Sequence, residues 1–428
     1  MEAAIASPSA TGAAVDKITY RDLYERWEKG HWSALGLDFT QDKHDWHEVF
    51  TQHERNAAIW NYSLFFYGED SVTDNLSPFI DAAPHVEQKY FLATQQVDEA
   101  RHAVFFARFM SEVAERGDSI ESALAATKPV LTWGFRKTFD RLDRMADELR
   151  KDRSRPQLAK AIALYHVVIE ATLATPGQHF IEEYLGERKI MPGFYEGMRN
   201  ISKDEQRHIG FGVKMLYDLQ QEDPECKDAV AELLREVMPY TVGVFIPPNW
   251  DETYVTCFGK EIEDIFEDGM ISFDQRLRAA GMPLEELPGV PIRTDIPPRQ
   301  RAEQAVAMMR ANLLGEKHGP PGRDRELVQI FFDNLRYALD TRSLNGGKAV
   351  LQWEFTDFEP WHIRIDNGTS TALQGRAESP DVTLKCRFED WVDVTAGWES
   401  PRSAMLKRKI RPSGNLKSLW RAQKLFPN

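Results

Sequence analysis

Apolar positions recur at helical spacing through most of the first 280 residues, and the period changes near the end of the chain. Thr51-Gln-His-Glu54 is a capping box that opens a long helix, closed between Asn75 and Pro78. Pro84 opens a second helix that fades at Gly117, and a further helical stretch to about Lys151 breaks at Pro129. Pro156 starts a third with Gly186 as its expected C-terminal cap, and a fourth runs from near Pro192 to just before Pro224. Helices are predicted again over Cys226 to Met238 and Phe258 to Ala280, packing outside the bundle. Pro283 to Pro298 is proline-rich and Gly319-Pro-Pro-Gly322 is flanked by charges, so residues 282–323 read as a linker carrying one short helix, Arg299 to Leu313.

Beyond a helix at Asp324 to Leu339, the apolar residues alternate: Leu351, Trp353 and Phe355; Trp361, Ile363 and Ile365; Val382, Leu384 and Cys386. That period of two marks half-buried strands, and Asn367-Gly368 supplies a tight hairpin turn. Helices at Phe388 to Ala396 and Leu416 to Phe426 follow. The fold class is mainly α: a helical bundle with extra helices over residues 19–281, then a small α+β domain over 324–428. Residues 1–18, rich in Ala and Ser, read as a disordered tail and not as a signal peptide.

Composition narrows the function. A chain of 428 residues with 42% apolar residues can bury a large core, and a net charge of −14 argues against a nucleic-acid partner. The three cysteines, Cys226, Cys257 and Cys386, lack metal-type spacing, so a reducing cytoplasm is the expected setting. No run approaches the ~18 apolar residues of a membrane span, so a soluble protein is expected.

The chemistry lies in a repeat. Asp98-Glu99-Ala-Arg-His102 and Asp204-Glu205-Gln-Arg-His208 each place a carboxylate and an imidazole on one helical face, close enough to share a metal ion. Two such motifs on facing helices, each joined by a Glu from another helix, are how a four-helix bundle holds two ions. Glu69 and Glu170 are the lone acids in apolar runs upstream of each motif. Burying either without a cation costs several kcal/mol, roughly 1–3 per unsatisfied polar group and more for a charge. Metal-bound imidazoles donate their other N–H to a carboxylate, so Asp204 should reach His102 and Asp98 should reach His208. His166, four residues before Glu170, is a candidate hydrogen-bond partner behind the ligands, with a third imidazole ligand as the lesser reading. His179 reads as structural; His31, His44, His47, His53, His85, His318 and His362 read as surface or capping residues.

With Gly68-Glu69-Asp70-Ser71-Val72-Thr73 and Tyr165-His-Val-Val-Ile-Glu170 added to the two motifs, the first 280 residues resemble the ribonucleotide reductase small-subunit superfamily, and within it the ligand-binding oxidases. The resemblance implies a ferritin-like bundle, a Mn/Fe or Fe/Fe pair, dioxygen as co-substrate, an electron donor and a homodimer. It also implies an ether cross-link between Val72 and Tyr165. Phe106 stands where the classical small subunits store a tyrosyl radical, and Leu425-Phe-Pro-Asn428 lacks their tyrosine-bearing tail, so nucleotide reduction is not expected. Pro176-Gly177 interrupts the helix beyond Glu170 and predicts a kink or bulge beside the metals. Residues 324–428 resemble the sterol carrier protein domain, a helix with antiparallel strands around an apolar tunnel, which implies an apolar or acyl-like small-molecule partner. The basic end of that domain reads as a solvated face, with anionic lipid or the acidic bundle as the functional alternatives.

The expected function is therefore oxidation of an apolar or lipid-like molecule by a dinuclear metal oxidase or oxygenase. The alternatives are a metal-stabilised lipid carrier without turnover, and a di-iron N-oxygenase. Relatives of the latter kind carry an extra histidine where this chain has Ile201.

Overall fold

The structure is a computed structural model that describes Val15 and residues 17–426, so most of the expected N-terminal tail lies outside the described residues. It divides into two compact units. The first runs to Ala229 and takes in Ile246–Pro283; the second is Val230–Phe245 with Leu284–Asn428.

The first unit is helical. In chain order come α1 (Tyr20–Lys29), α2 (Thr40–Glu48), α3 (Gln52–Asn75), α4 (Ser77–Ala82), α5 (Val86–Glu112), α6 (Ile120–Thr127), α7 (Trp133–Lys151) and α8 (Arg155–Ile162). A π-helical segment, Ala163–Ala174, leads into α9 (Thr175–Arg188). Then follow α10 (Pro192–Glu222), α11 (Glu225–Thr241, which crosses the boundary between units), α12 (Thr253–Thr256) and α13 (Ile262–Ala279). Thr51 caps α3 with a reciprocal box to Glu54, so the local signal sets that helix. α3 packs along α5, and α10 along the π segment and α9, which makes the four-helix core.

The interruption before Pro176 takes the form of the twelve-residue π segment. The Thr175 N–H bonds to the Glu170 carbonyl five residues back, and the hydroxyls of Thr172 and Thr175 bond the carbonyls of Val167 and Glu170 at 2.7 and 3.0 Å. The helix does not end at Gly186; that residue lies inside α9, and the left-handed cap is Lys189 (φ 54°). α10 starts without a cap from its own sequence. Asp45 accepts the Met191 N–H at 2.7 Å, while Asp42 accepts those of Gly193 and Phe194 at 2.9 and 2.6 Å, from about 150 residues away. Only glycine fits at 193, because a β-carbon there would sit 2.3 Å from the Asp38 carbonyl.

The helical run Arg155–Arg188 is long and apolar enough, by length and composition, to cross a membrane; 78% of its most apolar window is buried in the unit. This qualifies the expectation that no such run exists. All three cysteines are unpaired.

The second unit contains α14 (Pro298–Arg310), α15 (Arg325–Leu335), β1 (Ala349–Phe355), β2 (Trp361–Asp366), β3 (Thr369–Gln374), β4 (Val382–Cys386), α16 (Phe388–Thr395), α17 (Pro401–Leu406), β5 (Arg411–Gly414) and α18 (Leu416–Leu425). Asn367 and Gly368, at φ 49° and 80°, form the tight turn between β2 and β3. The sheet order is β3-β2-β1-β4-β5, and β1 pairs with β4 in parallel, so the sheet is mixed and not antiparallel throughout. The stretch read as a linker, residues 282–323, folds into the second unit from Leu284 onward; Met308 and Leu313 share one apolar cluster with Val328, Phe332 and Trp353. His362, read as a surface residue, is buried on β2 against the Gly375 carbonyl at 2.9 Å.

Candidate metal centre

Four helical stretches deliver one cluster. Glu69 sits on α3, Glu99 and His102 on α5, Glu170 on the π segment, and Glu205 and His208 on α10; all six are buried. They form two overlapping groups, Glu69-Glu99-His102-Glu205 and Glu99-Glu170-Glu205-His208, with the donor atoms of each group within 4.8 Å of one another. Glu99 and Glu205 belong to both. His102 Nδ1 lies 3.3 Å from Glu69 and 3.5 Å from both Glu99 and Glu205. His208 Nδ1 lies 3.1 Å from Glu99, 3.5 Å from Glu170 and 3.7 Å from Glu205.

The donor set fits two divalent cations. Four buried carboxylates against two imidazoles leave negative charge that the protein alone does not balance, at a cost of several kcal/mol per ion. Glu170 Oε2 and His208 Nδ1 are buried and make no hydrogen bond. Oxygen-rich coordination with two imidazoles suits manganese and iron.

The electrostatics follow from crowding in a dry interior. Burial, reinforced by neighbouring carboxylates, pushes Glu69, Glu170 and Glu205 above the ordinary carboxylate range. Burial acts on Glu99 in the same sense, but its two imidazole neighbours outweigh it and hold it well below. Burial lowers His102 and His208, and the surrounding carboxylates overcome that and raise both.

Behind the donor cluster the wiring is crosswise. His102 Nε2 lies 3.2 Å from Asp204 on α10, and His208 Nε2 lies 3.2 Å from Asp98 on α5. Arg101 and Arg207 each contact both aspartates, at 3.1 and 3.5 Å and at 2.9 and 2.8 Å. Two indoles complete the set: Trp27 donates to Asp98 at 2.9 Å and Trp32 to Asp204 at 2.8 Å. Burial would raise Asp204, but the His102 hydrogen bond and the charges of His102 and Arg207 hold it low.

His166 does not reach the donor cluster. Its Nε2 lies 3.1 Å from Gln95 Oε1, and burial pushes its pKa down to about 3, so it stays neutral. Gln95 turns its amide nitrogen to Glu170 at 2.9 Å, Tyr165 at 3.1 Å and Glu99 at 3.4 Å. Tyr165 donates to Glu99 Oε1 at 2.6 Å, and burial among carboxylates raises its hydroxyl well above the usual range. Val72 is buried one turn beyond Glu69. Gly212 lets α10 approach the π segment: a β-carbon there would lie 2.2 Å from that of His166. Sequence reasoning passed over Gln95, the two tryptophans and the arginine pair. Of these only the arginines left a local trace, as the repeated fourth residue of both motifs.

Four helical stretches converging two Glu-x-x-His motifs and two further glutamates on one buried cluster define a dinuclear-metal carboxylate bundle. Residues 15–240, more than half of the chain, match the family model described as ribonucleotide reductase, small chain, and the chain belongs to that family. Residues 335–427 match the model of the SCP-2 sterol transfer family. Among solved structures, the chain is similar to an R2-like ligand-binding oxidase variant with anaerobically reconstituted Mn/Fe cofactor, at 24% identity and TM-score 0.54 over 61% of this chain and 93% of that one. A variant with the cofactor reconstituted aerobically matches over the same shares at 24% identity and TM-score 0.52. The R2-like ligand-binding oxidase from Sulfolobus acidocaldarius matches at 24% identity and TM-score 0.52, over 66% of this chain and 93% of that one. At this identity the likeness establishes the fold.

Proposed function

We propose that the chain is a dioxygen-consuming oxidoreductase whose Mn/Fe or Fe/Fe pair is held by Glu69, Glu99, His102, Glu170, Glu205 and His208. The observation that carries this reading is the pair of overlapping buried groups that share Glu99 and Glu205. When bound, such a pair supplies the electrons that reduce dioxygen. The protein's own part is positional. Asp204 and Asp98 fix the tautomer of each imidazole so that Nδ1 faces the cluster. Gln95 holds Glu170, and Tyr165 keeps its hydroxyl hydrogen on Glu99.

Tyr165 and Val72 are the residues we assign to oxidation within the protein. The step joins the Tyr165 oxygen to the Val72 β-carbon, with loss of one hydrogen from each; dioxygen takes the two electrons and two protons. The external substrate is read as apolar or acyl-like, from the SCP-2 match and the names of the similar structures. An electron donor, a cytoplasmic setting with free thiols, and a homodimer complete the proposal. Val86, Tyr90 and Val97, exposed along one face of α5, offer an apolar stripe for pairing. The N-oxygenase alternative lacks its histidine at Ile201, and His166 is engaged by Gln95.

The test is anaerobic loading with Mn(II) and Fe(II) followed by air. Two metals per chain, oxygen uptake and a branched Val72–Tyr165 peptide two hydrogens lighter than its parts are the expected results. Glu99→Ala should abolish metal loading and uptake, and a metal-replete, active variant would sink the assignment. Bound lipid with no uptake would favour the carrier reading.

A further inference from the structure

The end of the second unit carries charge of the opposite sign to the chain. From Ser400 onward the sequence has eight Lys or Arg and no Asp or Glu, in a chain of net charge −14. Lys407 and Lys409 are used internally, donating to Glu399 at 2.7 and 2.5 Å. Arg402, Arg408, Arg411, Lys417, Arg421 and Lys424 enter no ion pair among the described residues. A surface shaped only for solubility mixes both signs.

Large apolar side chains stand among these cations. α18 buries Ala422 and Leu425 and turns Leu416 and Trp420 outward, 87% and 59% exposed and one helical turn apart. Lys424 reaches back over the Trp420 ring at 3.7 Å. At the end of α17, Leu406 is 77% exposed, with Met405 beside it. Single exposed apolar residues are ordinary, but here four occur within sixteen residues of an acid-free stretch. The helix is properly capped, with Asn415 accepting the Ser418 N–H at 2.9 Å, so its outward face is a built surface and not a frayed end.

We propose that the outer face of α18, with its basic surroundings, docks on a membrane surface that carries anionic lipid. An amphipathic helix with Trp and Leu on one side and Lys and Arg around them lies in the plane of the interface, its aromatic ring at headgroup level and its cations on phosphates. The helix is about 15 Å long by its ten residues. Six cations outside any ion pair supply charge complementarity to an anionic surface, and the exposed Leu416 and Trp420 beside them favour a lipid interface over a purely acidic protein face. Such docking brings a lipid-binding unit to the place where its ligand is stored. It does not depend on the metal centre.

The test is flotation of the full chain with vesicles of phosphatidylcholine alone and of phosphatidylcholine mixed with phosphatidylserine. The expected result is capture by the mixed vesicles only, weakened by salt. Lys417→Glu with Lys424→Glu should lower partitioning more than about tenfold, and Trp420→Ala several-fold, while Lys417→Arg with Lys424→Arg keeps it. Hydrogen exchange over β1 to β4 checks that each variant is folded. No flotation at low salt, equal binding to both vesicle types, or wild-type flotation of the charge-reversed variant would each overturn the proposal. Self-association without flotation would also overturn it, in favour of an acidic protein surface as the partner. Metal content measured on the same preparations separates this outcome from failure of the oxidase reading.

Discussion

The two units bury different things. The bundle places four carboxylates, two imidazoles and a two-Asp, two-Arg network at its centre, where each uncompensated charge costs several kcal/mol. The C-terminal unit fills its centre with aromatic rings: Phe332 stacks on Trp361 at 4.9 Å and 3°, and Trp353 meets Phe332 and Trp391 edge-on, both at 5.4 Å. Gln352 and His362, buried there, are tied to the backbone carbonyls of Trp361 and Gly375. One interior is organised for chemistry at the expense of stability. The other is organised for stability and leaves its distinctive chemistry on the surface. Burial alone therefore separates a charged interior from an aromatic one.

The largest effect that would break this contrast is on the aromatic core. Trp353→Ala should cost the second unit about 3–5 kcal/mol, read as lost amide protection in β1 and β4 while α5 and α10 keep theirs. Equal loss in both units would show that the two interiors are not separable. Next comes the wiring behind the metals. Asp204→Asn should weaken metal binding about 10–100-fold without loss of helix content, because it changes what orients His102 and leaves the ligands in place; unchanged affinity would reduce the aspartate to packing. The smallest effect is at the surface. Lys407 first, then Lys409 and Ser403, hold Glu399 down to about 2 from an ordinary 4.5. A depressed carboxylate stabilises the fold above its ordinary value, and that support is lost as pH falls from about 4.5 towards 2. Glu399→Gln should therefore be slightly less stable than the parent at neutral pH and indistinguishable from it near pH 2. A gap that widens in acid would reverse the sign.

What could be read from sequence was what local spacing encodes. The Thr51 box, the two Glu-x-x-His repeats, the lone Glu69 and Glu170, and the Asn367-Gly368 turn each carry their meaning within a few residues, and the structure places them accordingly. What could not be read depends on distant partners. The start of α10 is capped by Asp42 and Asp45 from another helix, and the end of α9 falls at Lys189 with no glycine to mark it. Parallel pairing of β1 with β4 leaves no trace in either strand. Gln95 looks like any helical glutamine until four partners surround it. The segment at 282–323 reads as a linker because proline content reports local stiffness and says nothing about what Met308 and Leu313 pack against.

The crosswise aspartates bear on how the centre comes into being. Each Glu-x-x-His is finished by the neighbour's aspartate, so α5 alone owns no oriented histidine, and neither does α10. A half-formed bundle presents a carboxylate and an imidazole whose orientation nothing fixes. A slip of one helix past the other by a single turn disconnects both imidazoles at once. The two crosswise contacts thus tie the orientation of both imidazoles to one helix register.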